Sequence, residues 1–423
     1  MEGLEIFERG TLPAWAPVRR RLYAEEISDV AEAVAQTFAA PDVSGLVRPG
    51  LRVAIGAGSR GIDRYAEVVA AVVAEVRRRG GLPFVFPAMG SHGGATAAGQ
   101  ADVLAHYGVT EARVGAPVRA TMETVLLGHT DGGVPVHVDR IAADVADLII
   151  PINRVKPHTD FHGPIESGLM KMIAIGMGKQ KGADTFHTRG FDEFPTLIPA
   201  VARFSLARLP LALGVALVEN GLGRLTRIEA VPAARIEARE RELLALARSW
   251  MARLPGHAVD VLIIDQLGKD ISGIGADSNV INRYYTGSLP LEPRVQRIIV
   301  RGLTPATEGN ASGLGQADVA LRRAVRATDP LTTYINCITA KTPEGARLPL
   351  TVDTDRQALH VAIACCVQVE PPMARILRSA DTKHLQHLMV SEPLLRDLAD
   401  DESIEVLEAP RPIAFGHDGM FSD

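Results

Sequence analysis

The sequence predicts an α/β protein of two α/β domains with mainly parallel sheets. Three observations carry that expectation. At 423 residues the chain is too long for one ordinary core. Short apolar runs alternate with amphipathic segments, which is the rhythm of βαβ units. That rhythm stops at Pro255-Gly256 and restarts at Val259.

Taken in order, Leu51-Arg-Val-Ala-Ile55 predicts a strand over 51–56, and the apolar spacing that follows predicts a helix over 62–79. Leu82-Pro-Phe-Val-Phe-Pro predicts a strand over 82–87, with a helix near 96–107. The run Ala146 to Asn153 predicts a buried strand, with a helix near 169–180 and a strand over 211–218. A segment rich in Glu, Arg, Leu and Ala ends at Leu254 and predicts a helix over 236–254. The domain boundary is placed there, giving domains of 1–255 and 256–423. In the second, strands are expected over 259–265 and 295–301 and helices near 316–327, 331–340 and 355–367. The last twenty or so residues fit neither pattern.

Composition narrows the function. The chain is 47% hydrophobic and 22% charged, with a net charge of −5 and mean hydropathy of +0.10. Its basic runs, Arg19 to Arg21 and Arg77 to Arg79, read as solvated helix ends, so the electrostatic footprint of a nucleic-acid binder is missing. Three cysteines, Cys337, Cys365 and Cys366, make no disulfide framework and read as packing residues in a reducing compartment. The first residues carry acids where a signal peptide needs bases, and no apolar stretch reaches the roughly 18 residues that span a bilayer. A cytoplasmic protein without membrane partners is expected.

The densest chemistry lies between Lys156 and His187. That stretch holds His158, His162, Lys171 and His187 among glycines. A histidine titrates near neutrality and can move protons or bind a metal, and a lysine flanked by Leu169-Met170 and Met172-Ile173 is partly desolvated. The stretch follows the strand ending at Asn153, and in open α/β sheets ligands sit beyond the carboxyl ends of strands. His92 occupies the equivalent place after the strand 82–87, in Gly90-Ser-His-Gly-Gly94. After the first strand, Gly56-Ala-Gly58-Ser59-Arg60-Gly61 offers backbone N–H groups and Arg60 to a phosphate or carboxylate.

Other readings attach to the same residues. Gly56-x-Gly58-x-x-Gly61 between strand and helix fits a dinucleotide fingerprint, but the second strand ends without the acid that would hold a ribose diol. His158 and His162 could be a zinc pair, yet Pro157 and Gly163-Pro164 predict a loop and no recognised ligand spacing is completed. Lys156, Lys171, Lys179 and Lys181 could be no more than a basic helix face. His106, His129, His137, His257, His360, His384, His387 and His417 carry no pattern.

Together the three loops resemble the nickel-dependent lactate racemase family of 2-hydroxy-acid racemases and epimerases. The family's threonine-arginine after the first strand is similar to Ser59-Arg60, and its first catalytic histidine, in a Gly-x-His loop, falls on His92. Its Ala-Asp-Leu strand, running into the second catalytic histidine, resembles Ala146-Asp147-Leu148 through His158. Its glycine-rich run ends in a cofactor-bearing lysine, here Lys171 after Gly168, and its nickel-ligating histidine follows sixteen residues later, at His187.

The resemblance implies a nickel-pincer nucleotide, a pyridinium-3-thioamide-5-thiocarboxylic acid mononucleotide carrying Ni, tethered to Lys171, bound by Gly58, Ser59 and Gly168 and held in a cleft between the domains. His187 would ligate the metal. His92 and His158 would act as two acid/base groups during reversible hydride transfer from C2 of a 2-hydroxy acid, with Arg60 fixing charge. Cofactor-biosynthesis proteins are the implied partners.

Departures from the family pattern also stand out. Ala57 replaces a frequent acid, the loop before Lys171 is longer by about three residues and carries His162, and the lactate-type Tyr-Gln and Lys are missing. In their place, Lys269, Asp277, Asn279 and Arg283, together with His162, are the expected substrate contacts, suited to malate or another acid larger than lactate. The rival functions are an NAD-dependent 2-hydroxy-acid dehydrogenase and a catalytically silent nucleotide- or nickel-binding protein.

Overall fold

The computed structural model describes residues 3–59, 61–284 and 292–422. The chain forms two compact units, one of residues 24–251 and one in which residues 1–23 join 252–423. The first strand, β1 (Ala14–Arg20), therefore lies outside the domain into which the sequence rhythm placed it. It runs antiparallel to a C-terminal strand, with Trp15 opposite Ser391 and Val18 opposite Leu388. A short strand with a proline and two arginines gives no local sign of its partners, which sit some 370 residues away.

The 24–251 unit is built on a five-stranded sheet in the order β3-β2-β6-β7-β8. Its strands are β2 (Arg52–Ala57), β3 (Leu82–Pro87), β6 (Leu148–Arg154), β7 (Leu213–Glu219) and β8 (Leu225–Pro232). A separate hairpin pairs β4 (Thr124–His129) with β5 (Pro135–Asp139). The first four strands of the sheet are parallel and β8 returns antiparallel to β7. The near-continuous apolar runs of the parallel strands follow from burial on both faces.

Alternation assigns the faces. Val53, Ile55, Ile150 and Ile152 pack against Val68, Val69 and Val72 of the helix Tyr65–Arg78. Ala54, Phe84, Phe86 and Ile149 belong to the opposite core with Met170, Met172, Ile173 and Phe186. From β2 the chain goes by one helix to β3 on one side and later returns to β6 on the other side of β2. That reversal makes a topological switch point between β2 and β6, where such folds bind ligands.

The helix expected over 169–180 is composite. A single helical turn, Leu169–Lys171, runs into a π-helical segment, Met172–Gly176, before a new helix begins at Lys179 and ends at Arg189. π-helical turns are uncommon and concentrate at functional sites.

The other unit carries a nine-stranded mixed sheet in the order β12-β11-β10-β9-β13-β14-β1-β15, with β16 on β1. Parallel strands β9 (Val259–Ile264), β10 (Val295–Val300), β11 (Val319–Leu321), β12 (Leu350–Val352) and β13 (Ile376–Ser379) are followed by antiparallel β14 (His387–Ser391), β15 (Ile404–Val406) and β16 (Arg411–Pro412). The helix expected over 316–327 is corrected to β11 followed by a short helix, Arg322–Arg326. Val319, Ala320 and Leu321 are fully buried between β10 and β12, and tertiary pairing overrides their helical spacing.

The C-terminal tail belongs to this unit. Phe421 packs 5.1 Å from the ring of Trp15 and lies under the guanidinium groups of Arg301 and Arg378, at 5.0 and 4.9 Å. Its N–H donates to Asp355. Among the described residues no helix is long and apolar enough to cross a membrane.

Candidate functional site

Three loops leave the carboxyl ends of adjacent strands in the order β3, β2, β6, and Ser59, His92, His158, His162, Lys171 and His187 sit on them or on the helical segments that follow the β6 loop. The longest, after β6, is closed at its neck by an antiparallel bridge between Lys156 and Ser167. Inside it, fully buried Glu166 accepts the N–H of His158 at 2.6 Å and that of Gly163 at 3.0 Å. The same carboxylate meets Nδ1 of His162 at 3.0 Å and the guanidinium of Arg248. The extra length of this loop is thus folded around one carboxylate. Burial works to raise the Glu166 pKa, but the bonds from His162 and the His158 amide outweigh it and leave it below the usual carboxylate range.

His158 is buried and lies 4.4 Å, ring to ring, from Phe161. Its Nδ1 accepts the N–H of Asp160 at 3.0 Å, and its Nε2 meets Nζ of Lys171. The Asp160 carboxylate stands 3.6 Å from Nδ1, placed to face that nitrogen when the ring is protonated. Lys171 closes the first helical turn after the loop. Two anchors fix that turn: Asn153 donates to the carbonyl of Gly168 at 2.7 Å, and Glu240 accepts the Met170 N–H at 2.8 Å.

His187 lies on the helix Lys179–Arg189, its ring edge-on to Phe191 at 5.6 Å and 5.7 Å from Phe194. Phe191 is also 6.1 Å from the ring of His158. One aromatic side chain therefore faces both histidines, and His158 in turn touches Lys171. Sequence spacing linked Lys171 with His187; the folded chain adds Phe191, whose ring lies near both His158 and His187.

On the β2 side, Ser59 Oγ meets Nδ1 of His92, so the loops after β2 and β3 hold each other. Gly58 is packed against Met172, where an added Cβ would come within 3.2 Å of its methyl group, and its N–H donates to the buried Tyr65 hydroxyl at 2.7 Å. That one amide of the glycine loop is spent inside the protein. Arg60 lies outside the described residues. Gly168 likewise has a packing reason, since a Cβ there would stand 2.4 Å from the Glu240 carboxyl group.

The expected substrate residues of the other unit have these contacts within it. Asp277 is buried and caps a short helix through the Asn279 N–H at 3.0 Å. Asn279 is buried and accepts the Tyr284 hydroxyl at 2.7 Å. Lys269 donates to the Gly273 carbonyl at 2.6 Å. Arg283 pairs with Asp318 at 2.7 Å and reaches two carbonyls, of Gln316 and Gln296.

In the sequence Glu166 counts only as an acid that completes no metal-ligand spacing, and Glu240, Phe191 and Phe194 give no signal. Glu166 stands four residues after His162 and eight after His158, which is a signal only once the loop is known to fold back on itself. Glu240 lies 70 residues from the amide it accepts and left no local pattern.

No protein-family model matches the chain, and no curated protein matches it. Among solved structures, the lactate racemase apoprotein from Thermoanaerobacterium thermosaccharolyticum is similar over 86% of this chain and 94% of its own, at 13% sequence identity and a TM-score of 0.52. The chain shares the fold of that lactate racemase. At such identity the likeness is one of fold. A crystal structure of a Thermotoga maritima protein is a looser match, covering 66% of this chain and 72% of its own at 14% identity and a TM-score of 0.47.

Proposed function

We propose that the protein is a racemase or epimerase of a 2-hydroxy acid, working with a nickel-pincer nucleotide. The observation that carries the reading is the junction of Lys171 with His158 and, across Phe191, of His158 with His187. These residue types and their spacing match what the lactate racemase resemblance requires, and the lactate racemase fold supports them.

The donor set fits a metal brought by an organic carrier. Among the described residues no group of three His, Cys, Asp or Glu side chains could hold a metal ion, so His187 would contribute one ligand and the carrier the rest. Lys171 would hold the carrier covalently. When bound, the group supplies a reversible hydride acceptor for C2 of the substrate. The chain's own work is proton transfer and orientation. For His158 to give a proton from Nε2 and take one back, the ring must keep its other proton on Nδ1, the nitrogen that the Asp160 carboxylate stands 3.6 Å from. His92, set by Ser59, provides a second group on a different loop, as the two enantiomers require. Arg60 is the expected grip on a carboxylate.

The substrate is proposed as an acid larger than lactate, malate being the simplest case, because the segment from Lys269 to Arg283 replaces the lactate-type residues. Isolation of the protein from cells that make the pincer cofactor, followed by intact mass, nickel analysis and chiral chromatography of lactate, malate and aldonic acids, tests the proposal. Racemisation with an added mass on the Lys171 peptide is expected. NAD reduction with a 2-hydroxy acid would replace this reading with the dehydrogenase, and nickel binding without turnover would replace it with the silent binding protein.

A further inference from the structure

Lys179 is fully buried and adopts a left-handed backbone, φ 54°, at the start of its helix. A long cation placed without solvent at a strained residue demands compensation. It has three partners: the Asp139 carboxylate at 2.9 Å, the carbonyl of Pro87 at 2.5 Å and Gln100 Oε1 at 3.0 Å. Asp139 ends β5, Pro87 ends β3, and Gln100 lies on the helix Ala97–His106. One ammonium thus ties three elements at the root of the loop that carries His92.

Gln100 passes this restraint onward. With its oxygen held by Lys179, its amide nitrogen is oriented the other way and donates to the carbonyls of Gly90 at 2.8 Å and His92 at 3.2 Å. The loop is close-fitted elsewhere too. Gly90 N–H reaches the Gly176 carbonyl at 3.0 Å, and a Cβ on Gly93, φ +64°, would stand 2.5 Å from the backbone of Gly99.

We propose that Asp139, Lys179 and Gln100 form a buried relay that positions the His92 loop, with Gln100 as the residue that acts on His92. The proposal rests on the reading of His92 as an acid/base group. Proton transfer requires hydrogen-bond reach, so a loop displaced by an ångström slows turnover while substrate grip elsewhere is kept. Neither Lys179 nor Gln100 touches the reacting atoms; both are positioning residues.

Gln100→Glu separates the two halves of the relay. The new carboxylate still accepts from Lys179 but has no proton to give the Gly90 and His92 carbonyls. Hydrogen exchange by mass spectrometry on the cofactor-free chain should show faster exchange in residues 88–96, with 225–232 unchanged. On the loaded enzyme, kcat should fall about tenfold or more with KM held within about twofold, and Gln100→Asn, too short to reach but uncharged, should not restore it. Unchanged exchange in 88–96 overturns the relay. If exchange rises there but kcat is unaffected, the relay's positioning of His92 for catalysis is overturned. Absence of racemisation in the unmodified protein removes the functional reading, and the exchange result then decides the loop restraint by itself.

Discussion

Nε2 of His158 faces Nζ of Lys171 while Nδ1 of the same ring accepts the Asp160 N–H. A neutral imidazole has one donor and one acceptor nitrogen. With Nδ1 accepting, a neutral ring carries its proton on Nε2, the nitrogen that Lys171 meets. An amine attacks carbonyl or thiocarbonyl carbon only in its unprotonated form, and we propose that the imidazole beside Nζ takes part in the proton exchange that exposes it.

The first prediction follows from that amine. At neutral pH and limiting reagent, an acylating ester should label Lys171 faster than exposed Lys341, although Lys171 is half-buried. Peptide mass spectrometry reads the ratio. Labelling of Lys341 ahead of Lys171 would refute a heightened reactivity at Lys171, and His158→Ala should slow the Lys171 reaction by removing the imidazole that meets Nζ.

The acid/base assignment gives a second. Replacing His92 or His158 by Ala should cost about 10²- to 10⁴-fold in both directions of racemisation, the usual weight of such a group. His187→Ala should lose nickel with the fold retained. A His158 variant with near-normal turnover would move the role to His162, whose Nδ1 is already oriented by Glu166.

A third concerns pH. Glu166 is held below its ordinary 4.5 in the folded chain, with burial opposing and the bonds from His162 and the His158 amide prevailing. Its contribution to stability is then fully present above about pH 4.5 and is lost as pH falls through the lower folded value. Glu240 behaves in the opposite sense. Burial raises it to about 8, against the pull of the Met170 and Leu169 amides. Its favourable share is complete below about pH 4.5 and declines as pH rises to about 8. Denaturation at pH 6 and pH 9 should show lower stability at pH 9, and Glu240→Gln should flatten the difference.

The substrate proposal carries a fourth. Arg283 must leave Asp318 to grip a second carboxylate, so Arg283→Ala should raise KM for malate at least several-fold and leave lactate unaffected. Equal effects on both acids would assign Arg283 to the architecture of its own loop.

What could be read in the sequence follows from how local the signal is. β2, β3, β6 and β7 were legible because strands buried on both faces are unbroken apolar runs, and the loops after them inherit the reactive residues. The spacing from Lys171 to His187 was legible because it lies within one segment. The π-helical turn was not, since Met172 to Gly176 would read equally well as an ordinary helix. Nor was β1, whose partners come from the far end of the chain. Gln100 and Lys179, 79 residues apart, became a pair only in the folded protein.

Gly168 combines packing and site geometry in one residue. Its φ of 174° is extended backbone open to any side chain, so no conformational need explains the glycine. Space does. A Cβ would stand 2.4 Å from the Glu240 carboxyl group, which accepts the next-but-one amide, Met170, at 2.8 Å. Glu240 is fully enclosed and cannot swing into solvent, so in Gly168→Ala either the carboxyl group or the Lys171 turn has to move. Overpacking of this kind costs about 1 to 3 kcal/mol. The double change Gly168→Ala with Glu240→Ala should recover part of the stability, because the obstruction is removed, but should leave the Met170 N–H without its acceptor and Lys171 less well fixed. Thermal melts report the first effect and the Lys171 acylation rate the second. A Gly168→Ala protein with unaltered melting temperature and unaltered labelling would show that the turn yields freely and that Glu240 does not set the position of Lys171.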